Sequence, residues 1–208
     1  MTEKILVVSR DLLLANNACF QGFKAGKDHV LWKLFAENGV FRERYQMEQD
    51  LRYKQLIVYL VLKYRDRIFV YQRIKATGEK RLLDLYSFGL GGHINPVSTQ
   101  SFRKLIISNL NRELKEEVVF PGYYSYRFLG FLNDEQTEVG QYHLGLVFLI
   151  SCLSGEISVK EKNKIRGSLI PISQLDDYRP NLENWSRLLL PQVKKYCSHS
   201  KAFNGKPI

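Results

Sequence analysis

Cysteine is scarce: three residues in 208 (Cys19, Cys152, Cys197), an odd number with no CxxC spacing. That excludes a disulfide scaffold and reads as reduced thiols in a cytoplasm. Proline stands at six, and no low-complexity tract or internal repeat is present, which excludes a collagen-like fibre. Long apolar runs are missing too. The first, at residues 5–8, is too short for a signal peptide, and the longest, at 56–62, runs into Lys63-Tyr64-Arg65-Asp66-Arg67. Neither approaches the roughly 18 residues of a membrane helix. A soluble, cytoplasmic protein without a membrane partner is expected. Acidic residues are in deficit, 21 against 31 basic, for a net charge of +10.

Hydrophobic residues make up 45% and charged residues 25%, ordinary values for a folded chain with one well-filled core. The positive charge favours anionic partners, nucleic acid or a phosphorylated metabolite. Its groups, such as Arg42-Glu43-Arg44 and Lys160-Glu161-Lys162, are spread out and broken by acids. No RNP, zinc-finger or helix-turn-helix pattern accompanies them, so nucleic acid stays open but is not favoured.

The pattern along the chain mixes strands and helices. A strand is expected at 5–8, then a helix over 28–37 capped by Asp28 and ended by Gly39. Residues 56–62 are apolar without alternation, as in a strand buried on both faces. A tight turn at 65–67 and a partner strand at 68–73 complete a hairpin, and 76–80 reads as a loop. Tyr86 to Ile94 is strand-like and rich in glycine. A helix is expected over 101–119, because Phe102, Ile106, Leu110, Leu114 and Val118 form one apolar stripe, with Pro121-Gly122 stopping it. Strands follow at 126–132, 143–150, 157–159 and 168–172. A last helix is expected over 182–196, capped by Asn181, and a loose polar tail from 198. This is an α+β pattern.

The chemistry concentrates in Arg112-Glu113-Leu114-Lys115-Glu116-Glu117. Glu113, Glu116 and Glu117 fall at i, i+3 and i+4, on one helical face, where like charges repel. They also crowd the last turns, where the helix dipole favours cations. Glu113 and Glu117 flank the apolar stripe, which adds a desolvation cost. A divalent cation would resolve all three conflicts, and an oxygen-only donor set suits Mg2+ or Mn2+ better than zinc. A solvated charged face accounts for the string alone equally well. Upstream, Gly91-Gly92-His93 closes a glycine-rich strand, where a bare carbonyl can point at a metal.

These residues resemble the signature box of the Nudix hydrolases, G-x5-E-x7-R-E-U-x-E-E-x-G-U with U apolar. Gly92 matches the first glycine, Arg112-Glu113-Leu114 the R-E-U, and Glu116-Glu117 the E-E. The strand ending in Arg73 and the helix beginning near Leu182-Glu183-Asn184-Trp185-Ser186 also match the family. The form Gly91-Gly92-His93-Ile94-Asn95, with Lys54-Gln55-Leu56-Ile57 upstream, is similar to a bacterial subgroup described as predicted phosphoesterases. Three departures stand out. Arg112 follows Gly92 by twenty positions instead of fourteen, Lys104 replaces the first box glutamate, and Val119 replaces the late glycine.

The resemblance implies a Nudix-like α/β/α sandwich with a mixed sheet over 54–197, an N-terminal strand-helix extension over 1–53 packed on it, and a tail over 198–208. It implies metal-dependent hydrolysis of a diphosphate linkage in a nucleoside diphosphate joined to another moiety, or in a similar small molecule. Glu113, Glu116 and Glu117, with the carbonyl of Gly91 or Gly92, would hold Mg2+ or Mn2+. Glu113 or Glu117 would serve as base, and Arg112 would orient a carboxylate. Glu161 is the first candidate for a further acid, with Glu135 and Glu138 next. Arg73 meets a phosphate or pairs structurally, and His93 is a candidate substrate contact, while His143 reads as structural. Many members pair, which leaves a homodimer open. Two other readings are carried: a Nudix-like nucleotide or nucleic-acid binding module without turnover, supported by the altered box, and an isopentenyl-diphosphate isomerase on the same fold.

Overall fold

The computed structural model describes residues 2–74, 83–99, 101–161 and 163–198. The loop expected at 76–80 and the tail beyond 198 lie outside the described residues. The architecture is α+β. Its contacts separate into two units, one of Met1–Tyr59, Gly91–Glu113 and Phe128–Phe148, the other of Leu60–Leu90, Leu114–Arg127 and Leu149–Ile208.

In the first unit, β1 (Lys4–Ser9) buries Ile5 to Val8 and pairs antiparallel with β3 (Val40–Glu43) and with the start of β4 (Tyr53–Tyr64). The caps of α2 (His29–Asn38) follow from its sequence. Asp28 accepts the Val30 and Leu31 amides at 2.9 and 3.0 Å, and Gly39 closes the other end. The unit also holds α1 (Arg10–Ala15), β2 (Gly22–Ala25), α3 (Arg44–Met47), α5 (Glu138–Tyr142) and the larger part of α4 (Phe102–Glu117). Parts of β7 (Gly89–His93), β9 (Tyr124–Asn133) and β10 (His143–Cys152) belong to it as well. Trp32, Phe35, Phe102, Phe128, Phe131 and Phe148 meet edge to face at 5.1–5.7 Å, with Phe35, Phe131 and Phe148 buried in its core.

In the second unit, the end of β4 turns at Arg65, whose φ is 53°, into β5 (Arg67–Arg73). Beside β5 run β6 (Tyr86–Ser87) and, along its full length, β12 (Ile165–Pro171). A small second sheet joins β8 (Val118–Val119) to β11 (Ser158–Val159). A 3-10 stretch over Ile172–Asn181 leads to α6 (Asn184–Ser198), which buries Trp185, Leu189, Leu190 and Val193. The main sheet orders its strands β12-β5-β4-β10-β9-β2, with β1 and β7 also on β4. As its unbroken apolar run requires, β4 is buried over ten consecutive residues.

Three local expectations change. The glutamate helix ends at Glu117, two residues early. The β-branched Val118 and Val119 pair with β11 instead, and the Lys160 amide takes the Glu117 carbonyl at 3.0 Å, so pairing satisfies groups that a helix end leaves open. Pro121-Gly122 therefore stops nothing. The last helix starts at Asn184, and its cap is Glu183, whose carboxylate accepts the Trp185 and Ser186 amides at 2.7 Å each, while Asn181 closes the 3-10 stretch. In the first fifty residues the chain adds β2, β3, α1 and α3, elements of four to six residues whose periodicity is too short to read.

Lys54 is fully buried in β4. Its Nζ donates to the carbonyls of Gly140 (2.8 Å) and His143 (3.3 Å) and pairs with Glu135 (2.8 Å), which also binds Arg10. Burial lowers its pKa from 10.5 to about 8, with Glu135 opposing the fall. Below pH 8 both folded and unfolded chains hold the proton, and the whole cost of burying the charge is present. Between pH 8 and 10.5 the unfolded chain binds more protons, so this contribution to stability rises with pH. In urea unfolding, wild type should gain up to about 3 kcal/mol relative to Lys54→Met as pH rises from 7.5 to 10.5. A gap that stays flat or narrows would refute the account.

Candidate active site

The geometry begins where α4 meets the strand before it. The buried side chain of Asn109 is fully engaged. Its Oδ1 accepts the Asn95 amide (2.9 Å), and its Nδ2 donates to the carbonyls of Asn95 (2.9 Å) and Leu105 (3.0 Å). One turn on, the Nη2 of Arg112 donates to the His93 carbonyl and pairs with Oε1 of Glu113, both at 2.7 Å. Glu113 is 6% exposed, and its carboxylate lies against the backbone of Gly92, where any Cβ would collide with it. Only glycine allows this approach. The first unit thus brings together Gly92, His93, Arg112 and Glu113, four of the residues expected at the site.

Further along α4, in the second unit, Glu117 is half-buried and Glu116 exposed. Burial raises the pKa of Glu117; the nearby Arg73 guanidinium opposes this, and the charges of Glu161 and Glu116 add to it. Arg73 lies over the Tyr71 ring with its guanidinium 5.6 Å from the centroid, and its Nη2 donates to the Tyr71 hydroxyl at 3.4 Å. Glu161 is exposed and pairs with Lys164 at 2.5 Å. Glu117 therefore feels the charges of Arg73, Glu161 and Glu116.

Other candidates are engaged structurally. Glu135 is held by Lys54 and Arg10, and Glu138 opens the short α5 on the surface. His143 donates from Nδ1 to the Val139 carbonyl at 2.7 Å, as a structural histidine would. His93 has its Nε2 on the Gln55 amide oxygen at 2.7 Å, and burial, then Arg44, His143 and Arg112, lowers its pKa to about 3. Its ring is neutral at physiological pH and brings no charge to a phosphate. Burial pushes the Cys152 thiol up to about 12 and Cys197 upward as well, so neither supplies a thiolate. Asn109 is not among the residues that the sequence pattern marks, although it sits four residues before Glu113 and three after Ile106, a polar residue on the apolar face. Gln55, inside a buried strand run, carried the same kind of signal.

The family resemblance implies a divalent metal, and the donors here suit one in kind: oxygen only, with the Glu117 charge made costly by burial and by two neighbouring carboxylates. They are not gathered into a closed shell. Among the described residues no three His, Cys, Asp or Glu side chains converge on one point, and the Glu113 carboxylate is turned toward Arg112 and Gly92. Because a Cβ at Gly92 meets the movable end of Glu113 and not backbone, Gly92→Ala should fold, losing about 1–2 kcal/mol, while displacing that carboxylate. Its turnover should then fall as far as that of Glu113→Gln in parallel assays. A Gly92→Ala protein with wild-type turnover would show that the contact is incidental.

No protein-family model matches the chain. It is 34% identical over 199 residues to Protein YmaB of Bacillus subtilis (strain 168), covering 91% of this chain and 97% of that one. Among solved structures it is similar to Tm1382, assigned as a Nudix hydrolase, with a TM-score of 0.79 and 31% identity over 93% of this chain and 100% of that one. Similarity of this extent in both sequence and backbone, over nearly the whole of either protein, means that the chain belongs to the Nudix hydrolase family and is a Nudix-type diphosphate hydrolase.

Proposed function

We propose that the protein hydrolyses, with a divalent metal, the diphosphate linkage of a nucleoside diphosphate joined to another moiety. The observation that carries this reading is the graded carboxylate face of α4: Glu113 buried on Gly92, Glu117 half-buried with its pKa raised by burial and by neighbouring carboxylates, Glu116 in solvent. Such a face is unfavourable by itself and becomes favourable beside a cation and a polyanionic substrate. Glu113, Glu116 and Glu117, with the carbonyl of Gly91 or Gly92, would hold Mg2+ or Mn2+, and Glu161 is the further acid nearest in charge to Glu117. When bound, the metal neutralises charge on the diphosphate oxygens and acidifies water.

The chain's own residues divide the remaining tasks. Glu113 has an oxygen fixed by Arg112, so Glu117, with the raised pKa, is the better group to take a proton from the attacking water. Arg112 orients Glu113. Arg73, whose charge acts on Glu117, would meet a phosphate oxygen as well as steady the carboxylate. His93 contributes through its main chain and a neutral ring.

A panel of nucleoside diphosphate derivatives should show cleavage with Mg2+ or Mn2+, none with EDTA, and a loss of about 100-fold or more in Glu117→Gln. Cleavage that persists in EDTA would overturn the metal. Stabilisation by a nucleotide without any cleavage would favour the binding module, and conversion of isopentenyl diphosphate to an isomer that keeps its diphosphate the isomerase.

A further inference from the structure

Gln55 stands in β4 with no solvent exposure, one residue after Lys54 and two after the strand begins, and nothing in the proposed chemistry uses it. Its side chain makes two hydrogen bonds in opposite directions. Nε2 donates to the main-chain carbonyl of Met47, at the end of α3, at 2.9 Å. Oε1 meets Nε2 of His93 at 2.7 Å. The order of these bonds has a physical cause. A carbonyl can only accept, so Met47 fixes which way the amide points. The amide oxygen can in turn only accept, so His93 carries its proton on Nε2. One main-chain group of the N-terminal segment thereby dictates the tautomer and ring orientation of the residue that follows Gly92.

That residue belongs to a strand end pinned from two sides within the first unit. Arg112 and Asn109 of α4 hold the carbonyl of His93 and both main-chain groups of Asn95. Gln55 holds the ring of His93 from the opposite partner, β4. Between the two lies Gly92, with the Glu113 carboxylate on its backbone. The N-terminal segment reaches the same strand end again through Asn95, whose Nδ2 donates to Glu3 and to the Lys4 carbonyl at 3.1 and 2.9 Å.

We propose that Gln55 is a positioning residue for the reaction: by tying the Met47 carbonyl to the His93 ring it holds the Gly91–His93 backbone against the Glu113 carboxylate, which makes the N-terminal segment part of the active-site scaffold. This rests on the reading of Glu113 and Gly92 as metal-site groups. Partners one step removed from a metal's ligands change metal affinity or activity by about 10–100-fold when removed.

The test compares wild type with Gln55→Leu, which breaks both bonds, and Gln55→Glu, which can still accept from His93 but cannot donate to Met47. Mn2+ binding is followed by electron paramagnetic resonance without substrate, and kcat and KM are measured at saturating metal. With folding verified by circular dichroism, Gln55→Leu should bind Mn2+ about 10-fold more weakly and lose kcat with KM within about 2-fold, with Gln55→Glu showing the same split. Wild-type Mn2+ affinity and kcat in a folded variant of lower melting temperature would make Gln55 merely structural and overturn the proposal. Should Gln55→Leu not fold, Gln55→Glu carries the same comparison. Nitrogen-15 spectra of the wild type give an independent reading, since a His93 ring protonated on Nδ1 alone overturns the proposal whatever the variants do. Failure of wild type to bind Mn2+ or turn over would instead strike the metal-site reading itself.

Discussion

A carboxylate in contact with a bare backbone sets the geometry of the first unit. Glu113 can lie on Gly92 only because no Cβ intervenes, and it can stay buried only because Arg112 supplies the countercharge. The Arg112 guanidinium is itself fixed by the His93 carbonyl, and Asn109 fastens the next residues of the same segment to the same helix. Strand end and helix therefore hold one spacing. A side chain at position 92 would force the carboxylate out, and without its cation the buried carboxylate would be costly. Twenty positions separate Gly92 from Arg112, and Arg112 still reaches the His93 carbonyl.

Along α4 the environment of successive acids changes in a way that separates their chemistry. Glu113 is enclosed and paired. Glu117 is half-covered, flanked by Arg73 and by two further carboxylates, and holds its proton more readily than a free glutamate. Glu116 faces water. Burial, pairing and like-charge repulsion thus place three chemically identical side chains in different surroundings. In the second unit the acid that caps α6, Glu183, has a different task. It binds two helix amides and the hydroxyl of Ser87, which fastens the helix start to β6.

Buried polar groups elsewhere in the first unit brace a single loop. Lys54 binds two carbonyls and Glu135, Arg10 binds Glu135 and the Gln141 carbonyl, and the fully buried Asp134 accepts from Gln21 and Thr137. The first fifty residues supply two of these partners, Arg10 and Gln21, and also Met47 for Gln55. Their part in the molecule is polar bracing as much as an added strand, and hydrogen-bonded polar groups of this kind favour one arrangement among many.

Much of this was legible beforehand because it is local. The apolar run of β4, the stripe of α4, the Asp28 cap and the turn at Arg65 each depend on residues within a few positions, where periodicity and cap chemistry suffice. The spacing of Glu113, Glu116 and Glu117 marked one helix face for the same reason. The N-terminal pairings were not legible, since β2 and β3 exist through their partners β9 and β1 and not through their own four residues. Nor was the early end of α4, where pairing with β11 outweighed helical continuation. The differing uses of equally plausible acids came only with the fold: Glu135 is held by two cations, Glu161 lies within reach of the Glu117 charge, and neither fact has a local cause. Sequence alone determined which residues are chemically suited to one another and which helix would carry them. Tertiary structure decided which are desolvated and which neighbours they meet, because burial and Coulomb interactions depend on distances that the chain sets only when segments far apart in sequence pack together.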